Sequence, residues 1–128
     1  MPAMLEHVNM TVTDPEATAA MLGRLFGWGV RWRGAAKNGG HTVHVGTDAQ
    51  YLALFSGSAG AALVPNHDSY SLRGGLNHVA VVVDDLDAAE ARVRAEGLTA
   101  HSHADYEPGR RFYFHDTDGI EYEVVSYP

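Results

Sequence analysis

Apolar and polar residues alternate near the beginning of the chain. Val8, Met10 and Val12 are separated by single polar residues, which is the period of a β-strand with one apolar face. His7 belongs to the opposite, polar face of the same run. The pattern therefore predicts a strand that begins near residue 5 and presents a histidine away from the core.

A helical pattern replaces the alternation after Thr13. Asp14 and Pro15 are typical of an N-cap followed by proline at the first helical position. An apolar stripe at helical spacing follows, formed by Ala17, Met21, Leu22, Leu25 and Phe26. Because Gly27 comes directly after this stripe, it predicts the end of the helix.

The same order of patterns occurs a second time. Segment 5–12 aligns with segment 76–83 at an offset of 71, both begin Leu-x-His-Val, and His7 matches His78. Near the helix ends the offset becomes 70, as a one-residue difference in a loop would produce. We interpret the match as an internal duplication, because it persists through a strand, a helix and a late hairpin.

The second copy repeats the helix and the strands of the first. Asp84 or Asp85 caps the second helix, and Gly97 is placed to end it. Three strand-like runs follow each helix, at 28–33, 41–47 and 50–56 in the first copy and at 98–104, 110–115 and 120–127 in the second. The sequence predicts an α+β fold of two βαβββ modules.

The modules are expected at about 4–56 and 76–128, within a single domain that spans residues 1–128. The stretch between them, 57–75, is rich in Gly, Ser and Ala and shows neither the helical nor the strand period of apolar residues. A short turn is expected at 61–64. We interpret it as a mobile crossover, with a lid or a subunit contact as the alternatives.

Composition narrows the classes of function. The chain has no cysteine, so metal ligands must come from His, Asp and Glu. A formal charge of −7 without a basic cluster argues against nucleic-acid binding. The chain lacks both an apolar run of about 20 residues and a secretory leader, so we expect a cytoplasmic protein that binds a small molecule rather than a membrane.

The repeated motifs resemble a known family. The openings at 5–8 and 76–79, and the closing Phe-Tyr-Phe-His-Asp-Thr-Asp-Gly-Ile-Glu-Tyr-Glu at 112–123, are similar to those of the vicinal-oxygen-chelate superfamily, with Thr117 where proline is usual. That superfamily includes glyoxalase I, extradiol dioxygenases, bleomycin-resistance proteins and fosfomycin-resistance enzymes. The resemblance implies a cupped mixed sheet of two modules around a divalent metal.

The resemblance also implies which residues hold the metal. Ligands in this superfamily come from the first and fourth strands of each module, which here gives His7, His78 and Glu123. Ala53 occupies the remaining position. Two histidines and one carboxylate have the composition of a facial triad, suited to Fe, Mn, Ni or Zn with open positions for substrate. Glu121 competes with Glu123, since both lie on one strand face.

Other residues are weaker candidates. The resemblance implies that Tyr113 contacts a substrate oxygen, although its neighbours Phe112 and Phe114 make a role in the core an alternative. Four further histidines are candidate acid-base groups without a motif: His44, His101, His103 and His115. His101 and His103 are expected to share one strand face. Arg110 and Arg111 are expected to form a solvated turn, with binding of an anionic substrate as the alternative. Trp28, Val30 and Trp32 are expected to pack in the core, with a cavity floor or a dimer contact as the alternatives.

Two functions remain in competition. The first is a metal-dependent enzyme that binds a substrate through two neighbouring oxygens, with lyase, isomerase and dioxygenase chemistry all open. The second is a metal-free, drug-binding protein of the bleomycin-resistance type. Retention of His7, His78 and Glu123 favours the enzyme, and Ala53 favours the binding protein. The resemblance implies a homodimer in either case.

Overall fold

The computed structural model describes residues 1–36, 39–58, 63–64 and 68–128. The chain divides into two compact units, Met1–Leu63 and Val64–Pro128. The elements of the first unit are β1 (His7–Thr11), α1 (Pro15–Phe26), β2 (Gly29–Ala35), β3 (His41–Gly46) and β4 (Tyr51–Ser56). Those of the second unit are β5 (Val79–Val82), α2 (Leu86–Ala95), β6 (His101–Tyr106), β7 (Gly109–His115) and β8 (Glu121–Ser126).

Local signals set the ends of both helices. The Asp14 carboxylate accepts hydrogen bonds from two backbone N–H groups of the first turn of α1. Asp85, rather than Asp84, caps α2 by accepting from the backbone N–H of Ala88 at 3.0 Å. Gly27 and Gly97 follow the helices with φ of +73° and +81°, a left-handed conformation that favours glycine.

The two units have the same sheet topology. Each sheet has four strands, in the order β1-β4-β3-β2 in the first unit and β5-β8-β7-β6 in the second. The first strand of each unit pairs in parallel with the fourth, and the remaining pairs are antiparallel. The predicted α+β fold of two βαβββ modules is confirmed.

Strand register shows which positions of the two units correspond. Ala53 lies opposite His44 on β3, and Glu123 lies opposite Tyr113 on β7. The offset of 70 therefore holds for β4 and β8. It becomes 69 for β3 and β7, because the loop between β7 and β8 is one residue longer.

Each sheet packs its helix on one face, and the opposite face is called here the helix-free face. Helix α1 packs on β3 and β4, and α2 packs on β7 and β8. The packed faces contain Val43, Val45, Leu52 and Leu54 in the first unit and Phe112, Phe114, Tyr122 and Val124 in the second, all of them buried. The alternating side chains between these residues point to the helix-free face.

Among its described residues, the connecting stretch contains a 3-10 helix at Ser69–Ser71, capped by the Asp68 side chain, which its sequence pattern did not indicate. The turn expected at 61–64 falls partly outside the described residues. The prediction of a single domain with a crossover at 57–75 stays a prediction. Among the described residues, no helix is long and apolar enough to cross a bilayer.

Candidate functional site

The helix-free face of the second unit holds a histidine between two carboxylates. His78 directly precedes β5, and Glu121 and Glu123 are alternate residues of β8. The Nε2 atom of His78 is 3.0 Å from Oε1 of Glu123, and its Nδ1 atom is 3.4 Å from Oε1 of Glu121. The structure therefore brings His78 and Glu123 together, and Glu121 contacts the same ring rather than replacing Glu123.

A tyrosine from the connecting stretch completes this cluster. The Tyr70 hydroxyl donates to Oε1 of Glu121 at 2.5 Å and lies 3.3 Å from Nδ1 of His78. The hydrogen bond to the Glu121 carboxylate, followed by burial, raises the pKa of Tyr70 to about 12. Tyr70 is therefore a protonated donor at neutral pH. Sequence reasoning missed this residue, because it lies in a stretch without periodicity.

Polar contacts continue from Glu121 to two more histidines. The second oxygen of Glu121 is 3.3 Å from Nε2 of His115. The Nδ1 atom of His115 is in turn 3.0 Å from Nε2 of His101, with the two rings nearly parallel. Glu121 is thus held through both of its oxygens.

Tyr113 lies beside the same histidine. It is directly opposite Glu123 in the β7–β8 pair, and its ring meets the ring of His78 edge-on at 5.7 Å. Burial, and then the negative charge of Glu123, raise the pKa of its hydroxyl. Tyr113 therefore belongs to the helix-free face, unlike its buried neighbours Phe112 and Phe114.

The expectation of a solvated arginine turn is wrong for Arg111. Its side chain is only 13% exposed, and Nη1 donates to Oε2 of Glu123 at 2.8 Å. The guanidinium also stacks on the Tyr106 ring at 4.9 Å, and its buried Nε has no acceptor among the described residues. Arg110 is exposed and lies 3.4 Å from Asp87.

His101 and His103 do not share a strand face. The register of β6 against β7 shifts between His101 and Ala104, and Ser102 has a φ of +56°. This bulge adds a residue and changes the alternation. As a result His101 stacks on Tyr113, whereas His103 contacts Phe112 on the packed face.

The helix-free face of the first unit is aromatic. His7 stacks on Tyr51 at 4.8 Å, and Tyr51 stacks on His44 at 4.6 Å. The Trp32 ring lies 5.1 Å from His44 and is 51% exposed. Val30 is 40% exposed, so the expected core packing is wrong for both residues. One ring from each strand thus forms a continuous row, called here the aromatic row: His7, Tyr51, His44 and Trp32.

Polar groups fix one end of the aromatic row. Oε1 of Glu6 lies 2.9 Å from Nδ1 of His7 and accepts from the Tyr51 hydroxyl at 3.1 Å. These hydrogen bonds lower the pKa of Glu6. Arg31 covers the Tyr51 ring at 4.4 Å. Burial, and then the nearby His7 and Arg31, lower the pKa of His44, so its ring is mainly neutral at pH 7.

Ala53 marks the main chemical difference between the units. It is 3% exposed and occupies the position that corresponds to Glu123. The first unit thus offers the imidazole of His7 without a fourth-strand carboxylate. Among the described residues, no three His, Asp or Glu side chains are grouped so that they could hold a metal ion. The ligand set of His7, His78 and Glu123 stays a prediction.

The sequence profile of a known family matches residues 4–124, which is nearly the whole chain. The chain belongs to the Glyoxalase/Bleomycin resistance protein/Dioxygenase superfamily. The recognition of this superfamily from the paired Leu-x-His-Val openings is confirmed. No curated protein sequence matches this member of the superfamily.

Solved structures have the same fold. A glyoxalase/bleomycin resistance protein/dioxygenase domain from Frankia sp. EAN1pec is 21% identical, with a TM-score of 0.81 and all of both chains covered. The fosfomycin resistance protein FosX from Listeria monocytogenes, complexed with Mn(II) and sulfate, is 18% identical, with a TM-score of 0.72, and 100% of this chain and 95% of that chain are covered. Glyoxalase I from Leishmania major is 17% identical, with a TM-score of 0.78 and coverage of 98% and 87%. At these identities the likeness shows the fold alone.

Proposed function

We propose that this member of the superfamily is a metal-dependent enzyme that binds a small substrate through two neighbouring oxygens. The proposed ligands of the divalent cation (Fe, Mn, Ni or Zn) are His7, His78 and Glu123. The observation that carries the proposal is the 3.0 Å separation between Nε2 of His78 and Oε1 of Glu123. FosX, which has the same fold, binds Mn(II), and this supports the choice of a divalent metal.

The spacing of two of the three proposed donor atoms supports a shared cation. Two ligand atoms bound at about 2.0–2.2 Å with a bond angle near 90° lie about 3 Å apart. In the metal-free protein the same contact requires a proton between the imidazole and the carboxylate. A bound cation would supply Lewis-acid stabilisation of charge on substrate oxygens. Metal binding should therefore weaken at acidic pH, because protons compete for the same two atoms.

The neighbouring side chains would orient the substrate and Glu123. Arg111 binds Oε2 of Glu123, which directs Oε1 toward His78. The Tyr113 hydroxyl is protonated at neutral pH and can donate to a substrate oxygen. Reaction class stays open among lyase, isomerase and dioxygenase chemistry, and a cytoplasmic homodimer stays a prediction.

Three observations favour metal-free ligand binding as the second candidate. Ala53 removes a carboxylate that a four-ligand site would have, and Arg111 already neutralises Glu123. The half-exposed Trp32 ring offers a stacking surface for a flat ligand. A binding protein of this kind would need no cation to retain its ligand.

The metal content of untagged protein distinguishes the two candidates. We expect about one Mn(II), Fe(II), Ni(II) or Zn(II) per chain after loading and desalting. The variants His78→Ala and Glu123→Ala should lose the metal. His78→Ala should keep the unfolding transition of the parent, whereas Glu123→Ala should also lower the melting temperature, because it leaves the largely buried Arg111 without its carboxylate partner. Glu90→Gln, which alters a glutamate paired with a histidine outside this cluster, is the matched control. Stoichiometric metal in the double variant His7→Ala with His78→Ala would show that the proposed site is wrong.

A further inference from the structure

Strand β2, at one edge of the first sheet, contains a β-bulge that places two consecutive side chains on one face. The register against β3 shifts between Val30 and Trp32, so Arg31 is an extra residue in β2. The Arg31 guanidinium lies 4.4 Å from the centre of the Tyr51 ring, and the Trp32 ring lies beside His44. Arg31 and Trp32 therefore both lie on the helix-free face, where regular alternation would have separated them.

The Trp32 indole lies over its own strand because position 34 has no side chain. A Cβ atom at Gly34 would lie 2.6 Å from Cζ2 and 2.8 Å from Cη2 of Trp32, which is closer than real Cβ atoms approach other atoms. The six-membered ring of the indole thus occupies the space that another side chain would fill. Since Trp32 is still 51% exposed, it presents a flat apolar surface on which an aromatic ring can stack.

The Arg31 guanidinium is exposed, and its charge is not neutralised by a carboxylate. Its Nη1 donates to the backbone oxygen of Thr47 at 3.1 Å, which uses one of five N–H donors. Among the described residues, Arg31 makes no ion pair. Glu6 acts on it electrostatically, but Oε1 of Glu6 is held by His7 and the Tyr51 hydroxyl. The guanidinium therefore retains donors for an anion.

We infer that the helix-free face of the first unit binds a flat aromatic anion, which stacks on Trp32 and accepts hydrogen bonds from Arg31. Gly34 is a positioning residue, because it leaves room for the indole. The site lies within the first unit and needs no cation, so the inference does not rest on the proposed metal-dependent function.

The charges along the aromatic row set the orientation of the ligand. Glu6 is negative and repels an anionic group from the end of the row where His7 lies. Because the pKa of His44 is lowered by burial, its ring is mainly neutral at pH 7 and offers aromatic surface rather than charge. The anionic group is therefore expected beside Arg31, and the aromatic ring of the ligand against Trp32.

The first test measures binding of 2-naphthoate to metal-free protein by calorimetry in the presence of chelator. Two comparison ligands each lack one of the two interactions. 2-Naphthalenemethanol has the flat ring without the charge, and cyclohexanecarboxylate has the charge without the flat ring. Each should bind about tenfold more weakly than 2-naphthoate. Added salt should weaken binding of 2-naphthoate and leave binding of the alcohol unchanged, because only the charged ligand is screened.

The second test assigns the two interactions to their residues. Trp32→Ala and Arg31→Gln should each weaken 2-naphthoate binding by about tenfold. Arg31→Gln should also remove the preference for 2-naphthoate over 2-naphthalenemethanol, and Trp32→Ala the preference over cyclohexanecarboxylate. Arg33→Gln is the matched control and should bind as the parent does, because Arg33 lies on the same strand but pairs with Glu16 at 3.0 Å.

The third test moves the indole without changing Trp32 or Arg31. Gly34→Ala should weaken 2-naphthoate binding, because the added methyl group displaces the indole. Gly29→Ala is its control in the same strand, since a Cβ there meets nothing within 4 Å. The inference would be overturned by parent protein that does not bind 2-naphthoate, or by affinities of Trp32→Ala and Arg31→Gln equal to that of Arg33→Gln. Binding of 2-naphthoate to protein that takes up no metal would support the inference and contradict only the proposed metal dependence.

Discussion

The two units share a topology but differ in which face of the sheet carries most of their large aromatic side chains. In the first unit the aromatic row lies on the helix-free face, and the packed face is aliphatic. In the second unit Phe112, Phe114 and Tyr122 lie under the helix, and the helix-free face carries carboxylates and histidines. The same fold thus has an aromatic and an acidic version of one surface.

The difference shows how far the two faces of a sheet are independent. Position by position, Val43 corresponds to Phe112, and Ala53 to Glu123, with the strand pairing unchanged. Successive side chains of a strand point to opposite sides, so a change on one face leaves the other face and the backbone hydrogen bonds in place. In our proposal, the second unit supplies most of the metal ligands.

The largest expected effect concerns the packed faces. Phe112→Ala should reduce the free energy of unfolding by about 3–5 kcal/mol, because it leaves a large cavity under α2. The corresponding change Val43→Ala removes much less volume, and we expect a loss of about 2 kcal/mol. Urea unfolding monitored by circular dichroism measures both. Equal losses would mean that the aromatic packing of the second unit adds nothing to its stability.

A substitution with an intermediate expected effect would give both units a carboxylate at the same position of the helix-free face. Ala53→Glu places a carboxylate at a position that is 3% exposed, and burial should cost about 2–4 kcal/mol in the presence of chelator. If Ala53 faces the proposed cation, Mn(II) or Ni(II) should raise the melting temperature of this variant more than that of the parent.

Ala53→Gln is the control for Ala53→Glu, because it has nearly the same size without the charge. It should be destabilised to a similar degree and show no added response to metal. If added metal did not raise the melting temperature of Ala53→Glu more than that of the parent, residue 53 would lie outside the site.

The smallest effect concerns the loops before β4 and β8. Asp116 accepts hydrogen bonds from the backbone N–H groups of Asp118 and Ile120 and from the buried Tyr122 hydroxyl. Thr47 accepts from two backbone N–H groups in the corresponding loop of the first unit. Thermal unfolding should show a loss of about 1–3 kcal/mol for Asp116→Ala and about 1 kcal/mol for Thr47→Ala.

The larger loss at Asp116 is expected because that substitution leaves the Tyr122 hydroxyl buried without its acceptor. Asp116→Asn retains an acceptor oxygen and should recover part of the stability. If Thr47→Ala proved the more damaging change, the buried hydroxyl would not be the cause.

Local patterns predicted most of the fold. Alternation, the caps at Asp14 and Asp85 and the stops at Gly27 and Gly97 depend on neighbouring residues only, so the sequence showed them directly. The repeated Leu-x-His-Val opening located His78 on the correct face. The superfamily's closing motif located Glu123, and the structure brings these two side chains together.

The parts of the site that were missed depend on pairing between distant segments. Arg111 reaches Glu123 only because β7 and β8 are antiparallel in this register. His101 and His103 lie on different faces because of a bulge at Ser102, and no residue type in β6 predicts this bulge. Tyr70 reaches His78 through a short 3-10 helix in a stretch without periodicity.

Residues of β8 alternate between packing in the core and contacting the histidine of the candidate site. Tyr122 and Val124 are buried in the core, while Glu121 and Glu123 contact His78 between them. Substitutions at the two glutamate positions therefore change the chemistry of the helix-free face and leave the core residues between them in place. A shift of β8 by one residue relative to its neighbouring strands would exchange the two sets of side chains and bury both carboxylates at once. Point substitutions, and not insertions or deletions within the strand, are therefore the route by which a duplicated module such as this one can acquire a new activity.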